Sequence, residues 1–278
     1  MSDTDVLATA PFDLGEPLTA EWMTGRTALV TGGGSRGADH GSVGWAISRV
    51  LARHGARVGV VDVDRQRADR TVSEIADAGG SALTVIADVC SDQDCRRAVR
   101  AVEAELGPVD TLVNNVAAWS PEELFEVEPE RFDELFELNL KTAWLMSRHA
   151  AERMSAGGAI VNIASLAARR PGTVYGLAKA SLEAMTAGAA HLLAERGVRV
   201  NAVELGALWT AAVAANLPAE AREQRLGMVA LGTEGTCWDA AAAVLFLASH
   251  RARWISGQVL SVDGGGPPRM PYPGVSRG

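Results

Sequence analysis

Residues 27–37 read T-A-L-V-T-G-G-G-S-R-G, and residues 57–62 read R-V-G-V-V-D. Each begins with a short apolar run of the kind that forms a buried strand. Between them Val43, Ile47, Val50 and Leu51 recur at helical spacing. Strand, glycine-rich loop, helix, strand and terminal acid follow one another as in a dinucleotide-binding unit. Each part has its own reason. Glycines let the backbone approach a pyrophosphate, and the helix N-terminus turns unpaired N–H groups toward it. A carboxylate at the end of the second strand accepts hydrogen bonds from ribose hydroxyls and repels a 2′-phosphate. Asp62, 18 residues after Gly44, therefore points to NAD. Arg36, inside the loop, is the group that would meet a 2′-phosphate and favour NADP instead.

The alternation continues outward. The pattern predicts helices over 67–78, 91–106, 129–154 and from the Tyr175 region to about 196, with strands over 83–87, 109–113, 159–163, 198–203 and 257–262. The fold class expected is α/β, a single Rossmann-like doubly wound parallel sheet of about seven strands flanked by helices. Residues 1–22 mix Asp, Thr, Pro and Gly without a period and read as an arm outside the core. Residues 23–278 form the single domain, with a substrate lid at 207–235 and a Pro-rich tail at 266–278.

Bulk properties narrow the classes of partner. A net charge of −8 and a pI of about 5.2 argue against nucleic acid and anionic membrane. Three cysteines without ligand-type spacing suggest neither a disulfide framework nor a metal site. No apolar run reaches bilayer-spanning length, and the acidic N-terminal residues lack a signal pattern, so a cytoplasmic location is expected.

The chemistry concentrates in residues 165–179, S-L-A-A-R-R-P-G-T-V-Y-G-L-A-K. Tyr175 and Lys179 are four apart in a helical segment and so share a face. A free phenol is a poor base near neutrality, and an ammonium held close favours its phenolate. The pair suits proton transfer to or from an alcohol oxygen. The chain has only two Lys and only two Tyr, against 24 Arg. Retaining Lys at 179 suggests that a compact ammonium is needed there.

With these pieces placed, residues 25–265 resemble the classical short-chain dehydrogenase/reductase family. The likeness rests on T-G-G-G at 31–34, D-V at 88–89, N-N-V-A at 114–117, Asn139 in L-N-L-K, Ser165 in N-I-A-S, Y-G-L-A-K at 175–179, R-V-N-A-V at 199–203 and V-D-G-G at 262–265. The resemblance implies that Tyr175 is the general acid/base and that Ser165 holds the substrate oxygen. It implies that Lys179 tunes Tyr175 and binds the nicotinamide ribose, and that Asn139 helps hold a water linking Lys179 to solvent. For the cofactor, it implies contacts from Thr31, Gly32, Gly34, Ser35, Arg36, Ser42 and Val43 around the glycine loop. Asp62 and Val63 would follow at the second strand, then Asp88 and Val89 at the adenine. Asn115, Val116 and Ala117 would line the central strand end, and Gly206, Leu208 and Thr210 the nicotinamide side. The activity implied is NAD(P)-dependent interconversion of a secondary alcohol and a ketone.

Four positions depart from the family pattern. Nine residues, 33–41, separate Gly32 from Ser42-Val43-Gly44, an insert of six that carries Arg36, Asp39 and His40. Ser165 precedes Tyr175 by ten residues, a shorter loop than usual. Leu205-Gly206 stands for the usual Pro-Gly, which leaves that backbone less fixed, and Val116 stands for Ala. Trp119 and Trp209 fall in loops at the C-terminal edge of the sheet, and we expect them to line a hydrophobic substrate pocket. The rival readings are a lyase or isomerase without net cofactor turnover and a non-catalytic dinucleotide-binding sensor. The resemblance also implies a homo-oligomer, dimer or tetramer, using helices 129–154 and 174–196 and the tail.

Overall fold

Strand β1 (Thr27–Thr31) is fully buried and leads through the glycine loop into α1 (Val43–Arg53), β2 (Arg57–Asp62), α2 (Arg65–Asp77), β3 (Ser81–Ile86) and α3 (Asp92–Leu106). The second half runs from β4 (Thr111–Asn114) through α4 (Pro129–Phe136), a π-helical turn (Glu137–Lys141) and α5 (Thr142–Ala151) to β5 (Ala159–Ser165). Then come α6 (Val174–Leu193), β6 (Arg199–Leu205), β7 (Leu208–Trp209), α7 (Ala211–Asn216), β8 (Gly235–Thr236), α8 (Cys237–Ala248) and β9 (Val259–Val262). This computed structural model describes residues 21–35, 41–169, 171–216, 222, 225–227 and 229–265. The arm at 1–20, the loop residues Arg36, Asp39 and His40, and the tail at 266–278 lie outside the described residues.

Seven strands pair in parallel in the order β3-β2-β1-β4-β5-β6-β9, as the alternation predicts. Both faces are covered, which is why β1 reads as a continuous apolar run rather than an alternating one. Val30 packs with Ile47 and Val244 on the α1/α8 face, and Leu29 packs with Val99 and Met146 on the α3/α5 face. Trp22 packs against the first of these clusters. The strand order reverses between β1 and β4, and the crevice that opens there at the carboxyl ends of the strands is where such sheets bind ligands.

The helix expected over 129–154 is broken into α4, the π turn and α5. The Asn139 amide donates to the Leu135 carbonyl at 2.9 Å, so a side chain takes a carbonyl of the helical ladder. Insertions of that kind are a recognised origin of local helix irregularity.

Candidate active site

The glycine loop is pinned by its own backbone. The Gly33 N–H donates to the Val61 carbonyl at 3.1 Å, and the Ser35 N–H donates to the Arg67 carbonyl at 3.1 Å. The Gly34 N–H donates to the Asp62 carboxylate at 3.0 Å, while the Asp64 N–H binds the other carboxylate oxygen at 3.0 Å. Asp62 is thus fixed at the mouth of the crevice. A side chain at Gly44 would place its Cβ 2.2 Å from the Gly32 carbonyl oxygen, so the start of α1 comes this close to β1 only with glycine there. Ser42, the N-cap residue of α1, donates its hydroxyl to the Gly34 carbonyl at 3.1 Å.

Asn115 locks the switch point. Its amide donates to the Thr31 and Gly32 carbonyls at 3.0 and 3.1 Å, and its backbone N–H donates to the Thr31 hydroxyl at 3.0 Å. A second chain of amides carries rigidity toward α6. Asn114 donates to Asn162 at 2.8 Å, and Asn162 donates to the Thr186 hydroxyl at 2.9 Å. These buried bonds link β4, β5 and the helix that presents Tyr175.

Helix α6 starts where it does for local reasons. Thr173 caps it by accepting from the Gly176 N–H at 3.0 Å, and Pro171 precedes the cap. The short 165–175 connection folds into a 3₁₀ turn over Leu166–Arg169, and the Leu124 N–H donates to the Gly172 carbonyl at 3.0 Å. With the loop so drawn in, Ser165 still lines the same cleft as the Tyr175 phenol.

Lys179 is 2 % exposed and donates to the Ile163 carbonyl at 2.8 Å, its ammonium 5.8 Å from the centre of the Tyr175 ring. Burial pushes this ammonium down to about 8. Burial also raises the Tyr175 phenol, and Ser165 draws it partly back. The sequence reading expected the ammonium to depress the phenol. In the folded chain burial is the larger influence on the phenol, and the ammonium is turned to a backbone carbonyl.

One cleft of about 1200 Å³ joins these groups. Of the expected cofactor residues it brings together Gly32, Ser42, Val43, Asp62, Val63, Asp88, Val89, Asn115, Val116 and Ala117. Gly206, Leu208 and Thr210 line it as well, beside Ser165, Tyr175 and Lys179. Trp119 lines it while remaining 70 % exposed. Thr31, Gly34 and Ser35 stand behind this lining and act through the backbone contacts above. Asn139 does too: its side chain clamps residue 118, donating to the carbonyl at 2.9 Å and accepting from the N–H at 3.2 Å. Trp209 lies outside the lining, with the Arg222 guanidinium 3.9 Å from its ring centre.

The whole chain was also compared with known proteins. Residues 37–266 match the family model described as enoyl-(acyl carrier protein) reductase. The 7α-hydroxysteroid dehydrogenase of Bacteroides fragilis is 34 % identical over 233 residues, 81 % of this chain and 90 % of that one. The chain is a short-chain dehydrogenase/reductase. Its fold superposes on a dehydrogenase/reductase from Sinorhizobium meliloti with a TM-score of 0.82 at 32 % identity, covering 88 % of this chain and 96 % of the other. A short-chain dehydrogenase from Burkholderia cenocepacia, solved in complex with NADP, matches with a TM-score of 0.80 at 32 % identity over 88 % and 98 % of the two chains.

Sequence reasoning missed several lining residues of this short-chain dehydrogenase/reductase. Arg67 reaches the cleft beside Asp62 and pairs with Asp64 at 3.2 Å; its place in the first turn of α2, just after Asp62, was the available signal. Cys90 lines the cleft two residues after Asp88, and burial together with Asp88 pushes its thiol up to about 11, so it is no nucleophile. Leu138, Ala167, Ala212, Val213 and Arg225 complete the wall, and nothing in their spacing marks them.

Proposed function

We propose that this enzyme interconverts a secondary alcohol and a ketone on a hydrophobic or cyclic substrate, with a nicotinamide cofactor held in the cleft. The observation that carries the reading is a fully buried ammonium, Lys179, one helical turn from the Tyr175 phenol, in a cleft that also reaches Ser165 and Asp62. A buried cation with one carbonyl partner is costly to fold around, which argues for a purpose beyond packing.

The residues fit such a cofactor. Asp62 offers carboxylate oxygens to the adenosine ribose, the N-terminus of α1 faces the pyrophosphate, and Lys179 meets the nicotinamide ribose. The bound nicotinamide supplies the hydride chemistry. In reduction Tyr175, as phenol, protonates the developing alkoxide, and Ser165 donates a hydrogen bond to the same oxygen as charge grows on it. In oxidation Tyr175, as phenolate, takes the hydroxyl proton. Asn139 is a positioning residue that fixes the backbone of residue 118 at the cleft wall. Of the expected substrate lid at 207–235, residues 217–221, 223–224 and 228 lie outside the described residues, and Leu208, Thr210, Ala212, Val213 and Arg225 line the cleft.

Asp62 favours NAD. Arg67 beside it supports a second reading, NADP, which the Burkholderia relative's complex also suggests. Titration with NADH and NADPH, followed by nicotinamide fluorescence, tests the preference. Tighter NADH binding is expected, and tighter NADPH binding would pass the role of ribose reader to Arg67.

The apolar wall from Ala118, Trp119, Leu138, Leu205 and Val213 suits a ring system, as does the activity named for the Bacteroides relative. A further groove of about 820 Å³ runs between α4–α5 and α6, with Phe136, Leu140, Trp144 and Met185 in its wall and Trp144 exposed. We read it as the face that a second copy covers. Sedimentation is expected to give a dimer or tetramer that Trp144→Glu weakens; a wild-type monomer would reject it.

A further inference from the structure

The guanidinium of Arg225 enters the cleft beside Leu208, Ala212 and Val213, an otherwise apolar part of the wall. Its Nη2 donates to the Leu208 carbonyl at 3.4 Å, which fixes its direction. Its Nη1 is buried and pairs with the Glu234 carboxylate at 3.6 Å, too long for a hydrogen bond. Glu234 is already engaged, since its other oxygen accepts from Arg222 at 2.8 Å. Among the described residues two guanidiniums therefore share one buried carboxylate, which leaves one positive charge.

Arg225 lines the cleft with its side chain 20 % exposed, and a guanidinium whose carboxylate is shared with a second one still attracts a further anion. A guanidinium fork matches a carboxylate in geometry as well as charge. We propose that Arg225 receives an anionic oxygen of the substrate, so that the alcohol or ketone acted on carries a carboxylate away from its reacting carbon. The inference rests on the reading that the cleft holds a nicotinamide cofactor with the reacting oxygen at Tyr175. A phosphate oxygen of that cofactor offers the same chemistry, and the test separates the two sources.

The probes are cyclohexanecarboxylate and, as its neutral counterpart, cyclohexanecarboxamide, titrated calorimetrically into enzyme saturated with oxidised cofactor. The acid is expected to bind about tenfold more tightly than the amide, as a charge-assisted pair implies. Arg225→Met should bring the ratio close to one, and Arg225→Lys should leave it intermediate. Glu234→Gln, which removes the competing carboxylate, should raise it, an effect that a merely structural Arg225 would not produce. Thermal melting of each variant identifies any that fails to fold, and the remaining variants still decide the matter.

Equal affinity for acid and amide in the unaltered enzyme overturns the proposal. So does an acid preference that survives Arg225→Met. If Arg225→Met weakens cofactor binding while the acid preference stays, the guanidinium serves the pyrophosphate, and the substrate assignment falls. If the unaltered enzyme binds no nicotinamide cofactor at all, the oxidoreductase reading itself fails, a result distinct from all of these.

Discussion

Tyr175→Phe is expected to lower kcat/KM for ketone reduction by about a thousandfold or more, within the range by which a positioned acid or base contributes. The substitution removes one oxygen from a half-buried residue of the cleft wall and leaves the ring in place. Cofactor binding should therefore change little, which separates lost chemistry from lost structure. Ser165 keeps the hydrogen bond that it accepts from the Ala167 N–H at 3.3 Å. Steady-state kinetics beside cofactor titration checks both halves. Activity within tenfold of the unaltered enzyme would remove Tyr175 from the proton-transfer role.

Lys179→Met is expected to move activity and stability in opposite directions. Its ammonium is pushed down to about 8 from an ordinary value near 10.5, entirely by burial. The folded chain thus disfavours this proton, and the penalty is present in full below pH 8. A shift of that size corresponds to about 3 kcal/mol at most, less about 1 kcal/mol for the lost hydrogen bond to Ile163. The variant should therefore be roughly 1–2 kcal/mol more stable than the unaltered, cofactor-free enzyme at pH 7. Between pH 8 and 10.5 the unfolded chain binds the proton and the folded chain releases it, so the unaltered enzyme gains stability with pH and the difference closes. Urea unfolding at several pH values tests the sign. Catalysis should fall together with cofactor binding, because the group proposed to meet the nicotinamide ribose is gone. A variant less stable than the parent at pH 7 would mean that the ammonium is better satisfied than its burial implies.

The alternating strands and helices were legible because a parallel sheet covered on both faces writes each strand as an apolar run, as in Thr27–Thr31. Asp62, Asn115, Tyr175 and Lys179 were legible because each sits at a strand end or a helical spacing that its chemistry requires. The π turn was not, since it depends on where the Asn139 side chain finds its acceptors rather than on any periodicity. The direction of the Tyr175 shift escaped for a related reason. Spacing places the ammonium on the right face, but only the fold shows that it turns to Ile163 and that burial dominates. Trp209 illustrates the limit at the lid: its position after β6 suggested the pocket wall, yet its ring meets Arg222 instead. Arg225 lay in the irregular stretch, where no period assigns a face.

The account stands most directly on the fate of the nicotinamide hydrogen. Reduced cofactor carrying deuterium at the reactive carbon, supplied with a panel of cyclic ketones, allows product mass and cofactor oxidation to be read together. The account predicts one deuterium transferred to the alcohol carbon for each cofactor oxidised, a transfer that Tyr175→Phe suppresses. Substrate converted with no net oxidation of cofactor and no deuterium in the product would contradict it and point to a lyase or isomerase on this fold.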